Sequence, residues 1–167
     1  MNTARIDHPF GPLYDEHSRI LILGSFPSVK SREQQFFYGH PQNRFWKVIA
    51  ALYGQETPVT VPEKMKLILS NGLALWDSIA SCVITGSSDA SIRDVRANDL
   101  RIILNSSPIE KICCNGRKSH EMYQRYIREE IGREAVCLPS TSPANAQFSL
   151  EKLIEVWGKE LTGGTGK

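Results

Sequence analysis

The amino-acid sequence predicts an α/β fold, a three-layer αβα sandwich built around a central four-stranded parallel sheet. Four short apolar runs are each followed by glycine or polar residues, a pattern typical of strands that are buried on both faces. Segments with apolar residues at helical spacing separate the runs, and strands that alternate with helices form parallel sheets covered on both sides. The runs occupy residues 19–24, 73–76, 111–114 and 135–138.

The length and composition are those of one globular domain. The chain has 167 residues, of which 41% are hydrophobic and 23% are charged, values that are usual for folded domains. We therefore expect a single domain over residues 1–167, with an irregular lead-in at 1–18 and a frayed tail at 162–167. A net charge of +2 does not by itself indicate a nucleic-acid partner, although basic residues cluster weakly between positions 93 and 133.

The sequence disfavours membrane proteins and cysteine-based metal proteins. It has no run of 18 apolar residues and no signal-peptide core at its N-terminus, so we expect a cytoplasmic protein. The cysteines show no C-x-x-C spacing, which favours buried free thiols over a disulfide, a zinc site or an iron–sulfur cluster. The cysteines are Cys82, Cys113, Cys114 and Cys137.

The first helices are predicted from apolar spacing and from glycine at their ends. A polar segment at residues 29–35 leads into an aromatic stretch at 36–46. A helix then begins at Phe45 and is ended by Gly54. Proline favours a helix start, so a second helix is predicted near Pro62, and it is ended by Gly72.

Three further helices are predicted in the second half. Asn98 and Asp99 can cap a short helix, an amphipathic helix is closed by Gly132, and Ser149 caps the last helix. Residues 85–91 are rich in glycine, serine and aspartate, so we expect this connection to be mobile or dependent on a partner.

Four predicted loops leave the carboxyl ends of the strands, where parallel sheets bind their ligands. These loops comprise residues 24–28, 77–78, 115–116 and 139–145, and we expect them to meet along one rim beside the aromatic stretch. That stretch, residues 36–46, combines five aromatic rings, an imidazole, two amides and an arginine. Such a set can stack on a flat heterocycle and read its edge.

Several candidate residues have two interpretations. Asn43 can read a heterocycle or cap the helix that begins at Phe45. Asp77 can be a site carboxylate or a cap, and Asn115, at a strand end, has the same ambiguity. His40 fits a hydrogen-bonding loop residue better than a catalyst, since no metal-ligand partner stands at the required spacing.

Two loops have plain alternatives to a binding role. Residues 24–31 come close to a phosphate-binding P-loop, but Val29 stands where that motif needs glycine, and Pro27 removes an N–H donor. Residues 140–142 lie between two prolines, and their hydroxyl and N–H groups suit phosphate oxygens. Either loop can also be a simple turn. No Ser–His–Asp or Cys–His constellation is evident.

Taken together, the motifs resemble the uracil-DNA glycosylase superfamily, and most closely its hypoxanthine-DNA glycosylase branch. The resemblance covers residues 6–161 and rests on residues 24–28, 37–46 and 138–145. It implies a uracil-DNA glycosylase-like fold and a monofunctional, monomeric enzyme without metal or cofactor. The implied partner is DNA containing deaminated bases: hypoxanthine first, with uracil and xanthine as further candidates. A damaged-DNA binding module without catalysis and a P-loop-like nucleotide hydrolase are the alternatives.

Two departures from the wider superfamily favour hypoxanthine over uracil. Phe26 stands where the uracil enzymes carry an aspartate, and Leu138 stands where they carry a histidine. The resemblance makes Asn43 the main catalytic group, with Asn115 assisting. We expect the carbonyl oxygen of Asn43 to hold the attacking water and Phe26 or Phe37 to stack on the extruded base.

The remaining site residues follow from the same motifs. The expected substrate-binding residues are Gly24, Ser25, Phe26, Pro27, Ser28, Phe37, Tyr38, His40 and Asp77. The expected DNA-contacting residues are Ser140, Thr141, Ser142, Pro143 and Asn145. No metal ligand is expected.

Overall fold

Two β-sheets organise the protein, which we describe from a computed structural model covering residues 5–163; the ends of the expected lead-in and tail, residues 1–4 and 164–167, lie outside this range. The larger sheet has four parallel strands, as the sequence predicts; their order is β3-β2-β6-β7, and the smaller sheet has the order β1-β4-β5. The strands are β1 (Arg5–Asp7), β2 (Ile20–Gly24), β3 (Leu73–Asp77), β4 (Ile79–Val83), β5 (Arg93–Ala97), β6 (Lys111–Asn115) and β7 (Val136–Leu138).

The parallel sheet is covered on both faces. The consecutive residues Leu21, Ile22 and Leu23 of β2 are all completely buried, and neighbouring residues of a strand point to opposite faces. The helices that flank the sheet are α1 (Val29–Gln34), α2 (Phe45–Leu52), α3 (Val61–Ser70), α4 (Arg101–Leu104), α5 (Arg117–Tyr126), α6 (Arg128–Ile131) and α7 (Leu150–Leu161). The predicted three-layer arrangement is confirmed.

Local signals account for the helix boundaries. Thr60 and Glu63 form a capping box at the start of α3, and Ser149 accepts a hydrogen bond from the Lys152 N–H at the start of α7. The segment predicted as one helix ending at Gly132 is interrupted at Ile127 and forms α5 and α6. The polar segment before the aromatic stretch forms α1.

The antiparallel sheet is absent from the sequence prediction. Strand β5 has the sequence RDVRA and no buried residue, so no apolar pattern marks it. It forms through pairing with β4, which follows β3 after Ser78 alone. Strand β1 pairs with β4 inside the lead-in that the sequence predicts to be irregular. The second sheet therefore begins at the carboxyl end of a strand of the first.

Three of the four cysteines are buried free thiols, as expected. Cys82, Cys113 and Cys114 are buried, but Cys137 is exposed, so the prediction is wrong for that residue. Cys137 lies on the short strand β7, which carries one fully buried residue, Leu138. Within residues 5–163, no helix is long and apolar enough to cross a membrane.

Candidate active site

A cavity of about 310 Å³ lies at the carboxyl ends of the parallel strands, within the usual size range of small-ligand sites. All four predicted loops and the aromatic stretch contribute to its wall. Every predicted site residue except Asn145 lines it: Gly24, Ser25, Phe26, Pro27, Ser28, Phe37, Tyr38, His40, Asn43, Asp77, Asn115, Ser140, Thr141, Ser142 and Pro143. The loops thus converge on one rim.

Thr141 connects the two candidate catalytic amides. Its backbone N–H donates to the Asn115 side-chain oxygen at 3.0 Å, and its hydroxyl oxygen accepts from the Asn115 amide nitrogen at 3.0 Å. The same hydroxyl donates to the Asn43 side-chain oxygen at 2.8 Å. Thr141 is completely buried. The three side chains therefore form one hydrogen-bonded chain across the cavity wall.

The side-chain oxygen of Asn43 is already occupied. It accepts from the Phe45 N–H at 2.9 Å as well as from the Thr141 hydroxyl, and a carbonyl oxygen has two lone pairs. Asn43 thus also supports the helix, since the Phe45 N–H is at the start of α2, although the cap position itself is held by Arg44. The expected use of this oxygen to hold a water is disfavoured, and the amide nitrogen is the group that Asn43 offers to the cavity.

Arg44 holds the loop that carries Thr141. Its guanidinium donates to the backbone oxygens of Phe148, Ser142 and Asn145, the last two at 2.9 and 3.0 Å. Its backbone N–H donates to the backbone carbonyl oxygen of Thr141 at 3.0 Å. The planar fork of an arginine suits several acceptors at once. The loop after β7 is thereby fixed to the residue that follows Asn43.

Asn145 differs from the other predicted site residues. Its side chain donates to the backbone oxygen of Ser140 at 3.0 Å and does not line the cavity. It braces the loop from within. His40 does line the cavity, and its Nδ1 accepts from the Gln42 N–H at 3.1 Å, which fits the expected loop hydrogen-bonding role.

Asp77 lines the cavity and pairs with a residue that the sequence does not single out. Its Oδ2 lies 2.6 Å from Nε2 of His8, and the two side chains are only 6% and 5% exposed. His8 belongs to the lead-in, directly after β1. A single histidine in a predicted irregular segment carries no signal of this contact, because its partner is 69 positions away.

The hydroxyl of Tyr38 is buried beside this pair and has no hydrogen-bond partner among the described residues. Burial raises the pKa of Tyr38, the Asp77 carboxylate raises it further, and the Asn115 side chain opposes both effects. The phenol therefore stays neutral at physiological pH. Tyr38 also has a positive φ of 52°, a conformation uncommon for a bulky residue.

Two phenylalanine side chains line the cavity beside Tyr38, with different surroundings. Phe37 is 3% exposed and packs edge-on against Phe10 and Phe36. Phe26 has the guanidinium of Arg32 over its ring at 5.6 Å, so one of its faces is covered. Leu138, where the uracil enzymes carry a histidine, is buried in the core.

The connection at residues 85–91 contributes two cavity residues that the sequence does not predict. The Ser87 hydroxyl accepts from the Val29 N–H at 2.9 Å, and the Asp89 carboxylate accepts from the Ser25 hydroxyl at 3.0 Å. Asp89 is an exposed residue, yet desolvation of its carboxylate raises its pKa, while the Ser25 hydrogen bond lowers it. The connection is fastened to the first motif; its mobility stays a prediction.

Two further lining residues, Ser31 and Ala144, are also unpredicted. The Ser31 hydroxyl accepts from the Gly39 N–H at 2.8 Å and so holds the aromatic stretch against α1. Ala144 lies within a loop that the sequence does identify, but a methyl group gives no chemical signal.

The structure gives the P-loop alternative no support. Val29 begins α1, with Ser28 as its cap, and Lys30 is exposed, does not line the cavity and pairs with Glu33 at 3.7 Å. In residues 5–163, no group of three potential metal-ligating side chains comes together.

Several basic residues of the weak cluster in the second half pair with acids, such as Arg128 with Glu134 at 2.7 Å.

Comparison with known proteins agrees with this geometry. Residues 12–159 match the model of the uracil DNA glycosylase superfamily. The chain is 37% identical to a hypoxanthine DNA glycosylase of Methanosarcina acetivorans, a match that covers 90% of this chain and 95% of the relative. A hypoxanthine DNA glycosylase of Methanosarcina barkeri is 32% identical, with 90% and 94% covered.

A solved structure extends the agreement to the fold. The solution NMR structure of a Methanosarcina acetivorans protein classed with the uracil DNA glycosylases superimposes with a TM-score of 0.78 at 35% identity. The superposition covers 92% of this chain and 95% of the other. The resemblance predicted from the three sequence motifs is confirmed, and the chain belongs to the uracil DNA glycosylase superfamily.

Proposed function

We propose that this protein is a monofunctional DNA glycosylase of base excision repair that releases hypoxanthine from DNA. The observation that carries the proposal is the identity of 37% and 32%, over nine tenths of the chain, to two proteins named as hypoxanthine DNA glycosylases. The cavity supports it, because two side-chain amides, a buried carboxylate and aromatic rings line one space.

Access to the cavity requires the nucleotide to rotate out of the DNA helix, at a cost of a few kcal/mol that is lowest at a mispair. The loop at residues 139–145 lies on the cavity rim, and we assign it the contact with the DNA backbone. Its hydroxyl and N–H groups suit phosphate oxygens, and the Arg44 guanidinium keeps its backbone in place. Asn145 supports this surface from within.

Hydrolysis of the N-glycosidic bond builds negative charge on the departing base. The amide nitrogen of Asn43 is free to donate to that base, because the Asn43 oxygen is held by Phe45 and Thr141. A fixed donor at such a position is worth about 3–4 kcal/mol in a dry site. Asn115 assists by orienting Thr141 and, through it, Asn43.

The bond changes are simple. Water adds to C1′ of the sugar, the base leaves with the electron pair of the glycosidic bond, and the proton from water ends on the base. Among residues 5–163, no lysine lines the cavity, so the proposal includes no Schiff base and no strand cleavage. The product is an abasic site. A monomer in the cytoplasm, formed as one domain, completes the proposal.

The test is incubation with DNA duplexes that carry hypoxanthine, uracil, xanthine or adenine, followed by alkali cleavage of abasic sites. We expect strand breaks with hypoxanthine and none with adenine. Breaks that appear without alkali would contradict a monofunctional enzyme. Binding of hypoxanthine DNA without any breaks would instead favour a damaged-DNA binding module.

A further inference from the structure

The Asp77 carboxylate has one oxygen engaged and one oxygen available. Oδ2 is held by His8, whereas Oδ1 accepts no hydrogen bond from a described residue. Oδ1 keeps contact with the cavity, since it is not among the fully enclosed unpaired atoms and Asp77 lines the wall. Oδ1 lies only 2.4 Å from the position that a Cβ on residue 24 would occupy. Glycine at position 24 thus leaves room in front of this oxygen.

The hydrogen bonds of His8 indicate which ring nitrogen carries the proton. Its Nδ1 accepts from the Phe10 N–H at 3.5 Å, which assigns the ring proton of the neutral imidazole to Nε2, facing Asp77. The rings of Phe10, Phe26 and Phe37 lie 4.6, 5.9 and 6.4 Å from the imidazole. Packed on these sides, the imidazole has little freedom to turn away.

A carboxylate held in this way can only accept a hydrogen bond at its free oxygen. Hypoxanthine, the product of adenine deamination, has an N–H at ring position 1, whereas adenine has an unprotonated acceptor nitrogen there. A fixed acceptor therefore attracts hypoxanthine and repels adenine at the same ring atom. Discrimination that leaves buried polar groups unpaired in the wrong complex is stronger than discrimination by size.

We propose that His8 is a specificity-determining positioning residue that holds Asp77 as the acceptor for the ring N–H of the deaminated base. This inference rests on the proposed glycosylase function and adds a selection rule to it. His8 itself does not touch the base. Its contribution is to occupy Oδ2, so that the carboxylate does not rotate and Oδ1 faces the cavity.

The central experiment compares hypoxanthine with 1-deazahypoxanthine, which has C–H in place of the N–H at position 1 and almost the same shape. Single-turnover rates are measured for both bases with the wild-type protein, Asp77→Asn, His8→Leu and His8→Gln. For each protein, the rate with hypoxanthine is divided by the rate with 1-deazahypoxanthine. When this ratio is compared between proteins, the intrinsic lability of the two glycosidic bonds cancels. Loss of a hydrogen bond to a charged group predicts a fall in this ratio of about 10- to 100-fold in Asp77→Asn and His8→Leu.

The glutamine variant and a surface histidine serve as controls. His8→Gln keeps an N–H donor for Oδ2 and should retain most of the selectivity. His17→Leu changes a histidine whose side chain is 78% exposed, and it should alter neither the rates nor the ratio. An equal loss of both rates in His8→Leu, with the ratio unchanged, would overturn the positioning role.

A second measurement does not depend on any variant folding. Binding of the wild-type protein is measured with duplexes in which a 2′-fluoro sugar prevents cleavage of hypoxanthine or 1-deazahypoxanthine. We expect about 10-fold or greater preference for hypoxanthine, and equal affinities would overturn the inference. If the wild-type protein releases no hypoxanthine at all, the proposed function fails; if it releases hypoxanthine without this preference, only the selection rule fails.

Discussion

The Thr141 hydroxyl donates a 2.8 Å hydrogen bond to the Asn43 side-chain oxygen, 98 positions earlier in the chain. This bond decides which part of the Asn43 amide is available for chemistry. With the Phe45 N–H on the same oxygen, the oxygen is held by the scaffold, which leaves the nitrogen as the group available to the cavity that Asn43 lines. A structural task and a proposed catalytic task are therefore divided between two atoms of one side chain.

Replacing Asn43 by aspartate separates these tasks. Asn43→Asp keeps an oxygen for Phe45 and Thr141, and a negative charge near a helix start is favourable, so we expect unchanged or higher thermal stability. The donor to the base is lost, and hypoxanthine release should fall by about 100-fold or more. Asn43→Ala should also lose release while still folding and binding DNA, at a stability cost of about 1 kcal/mol for the lost cap. Normal turnover by either variant would reduce Asn43 to a capping residue.

Thr141→Val removes the hydroxyl and keeps the shape. The amide nitrogen of Asn115 then loses its acceptor, and Asn43 loses a donor. Leaving a buried polar group unpaired costs about 1–3 kcal/mol, which urea denaturation can measure. We expect the single-turnover rate to fall about 10- to 100-fold through misplacement of Asn43. Thr141→Ser retains the hydroxyl, so its stability and rate should stay close to wild type. A fully active valine variant would show that the hydrogen-bonded chain from Asn115 through Thr141 to Asn43 is dispensable.

Gly24→Ala tests the space in front of Asp77. The new Cβ would lie 2.4 Å from Asp77 Oδ1 and 3.3 Å from the Tyr38 hydroxyl. Because His8 fixes this carboxylate, it cannot move aside freely, and overpacking should cost about 1–3 kcal/mol of stability together with hypoxanthine release. Gly11→Ala, where no described atom other than those of its chain neighbours lies within 4 Å of the new Cβ, is the matched control. Wild-type behaviour of Gly24→Ala would contradict the position of the carboxylate.

Buried thiols predict a loss of stability at alkaline pH. Burial raises the pKa of Cys113 and of Cys114 to about 12, from an ordinary value of 9.0. Between these values the unfolded chain releases protons that the folded chain keeps, so the free energy of unfolding falls as pH rises. The slope is about 1.4 kcal/mol per pH unit for each thiol, and the full stability is present below about pH 9.

Urea denaturation between pH 8 and pH 11 measures this slope. Cys113→Ala removes one of the two thiols and should give a shallower dependence, although it also lowers stability at pH 8 through the lost packing. The buried Tyr123 hydroxyl, whose pKa burial also raises to about 12, adds to the slope above pH 10. A stability that is constant up to pH 11 would contradict the burial of these groups.

The sequence predicts the parallel sheet and its loops because each central strand is apolar on both faces. Strand β5 escapes prediction because its polar residues pair through the backbone, which leaves no hydropathy pattern. The sequence does not predict the role of His8 for a different reason. That role depends on the contact with Asp77, which exists only once both sheets have formed. Residue chemistry identifies the amides of the site, but the direction in which Asn43 turns its amide is decided by Thr141 and Phe45.

Arg44 has a mechanical consequence. Its guanidinium grips the loop after β7, while its backbone N–H is bonded to Thr141 and its chain neighbour is Asn43. A push on that loop by a DNA strand would therefore travel through one residue to the amide beneath the base. DNA binding and base hydrolysis would therefore be coupled. A duplex that binds in the wrong position on the rim would also displace the Asn43 amide from the base.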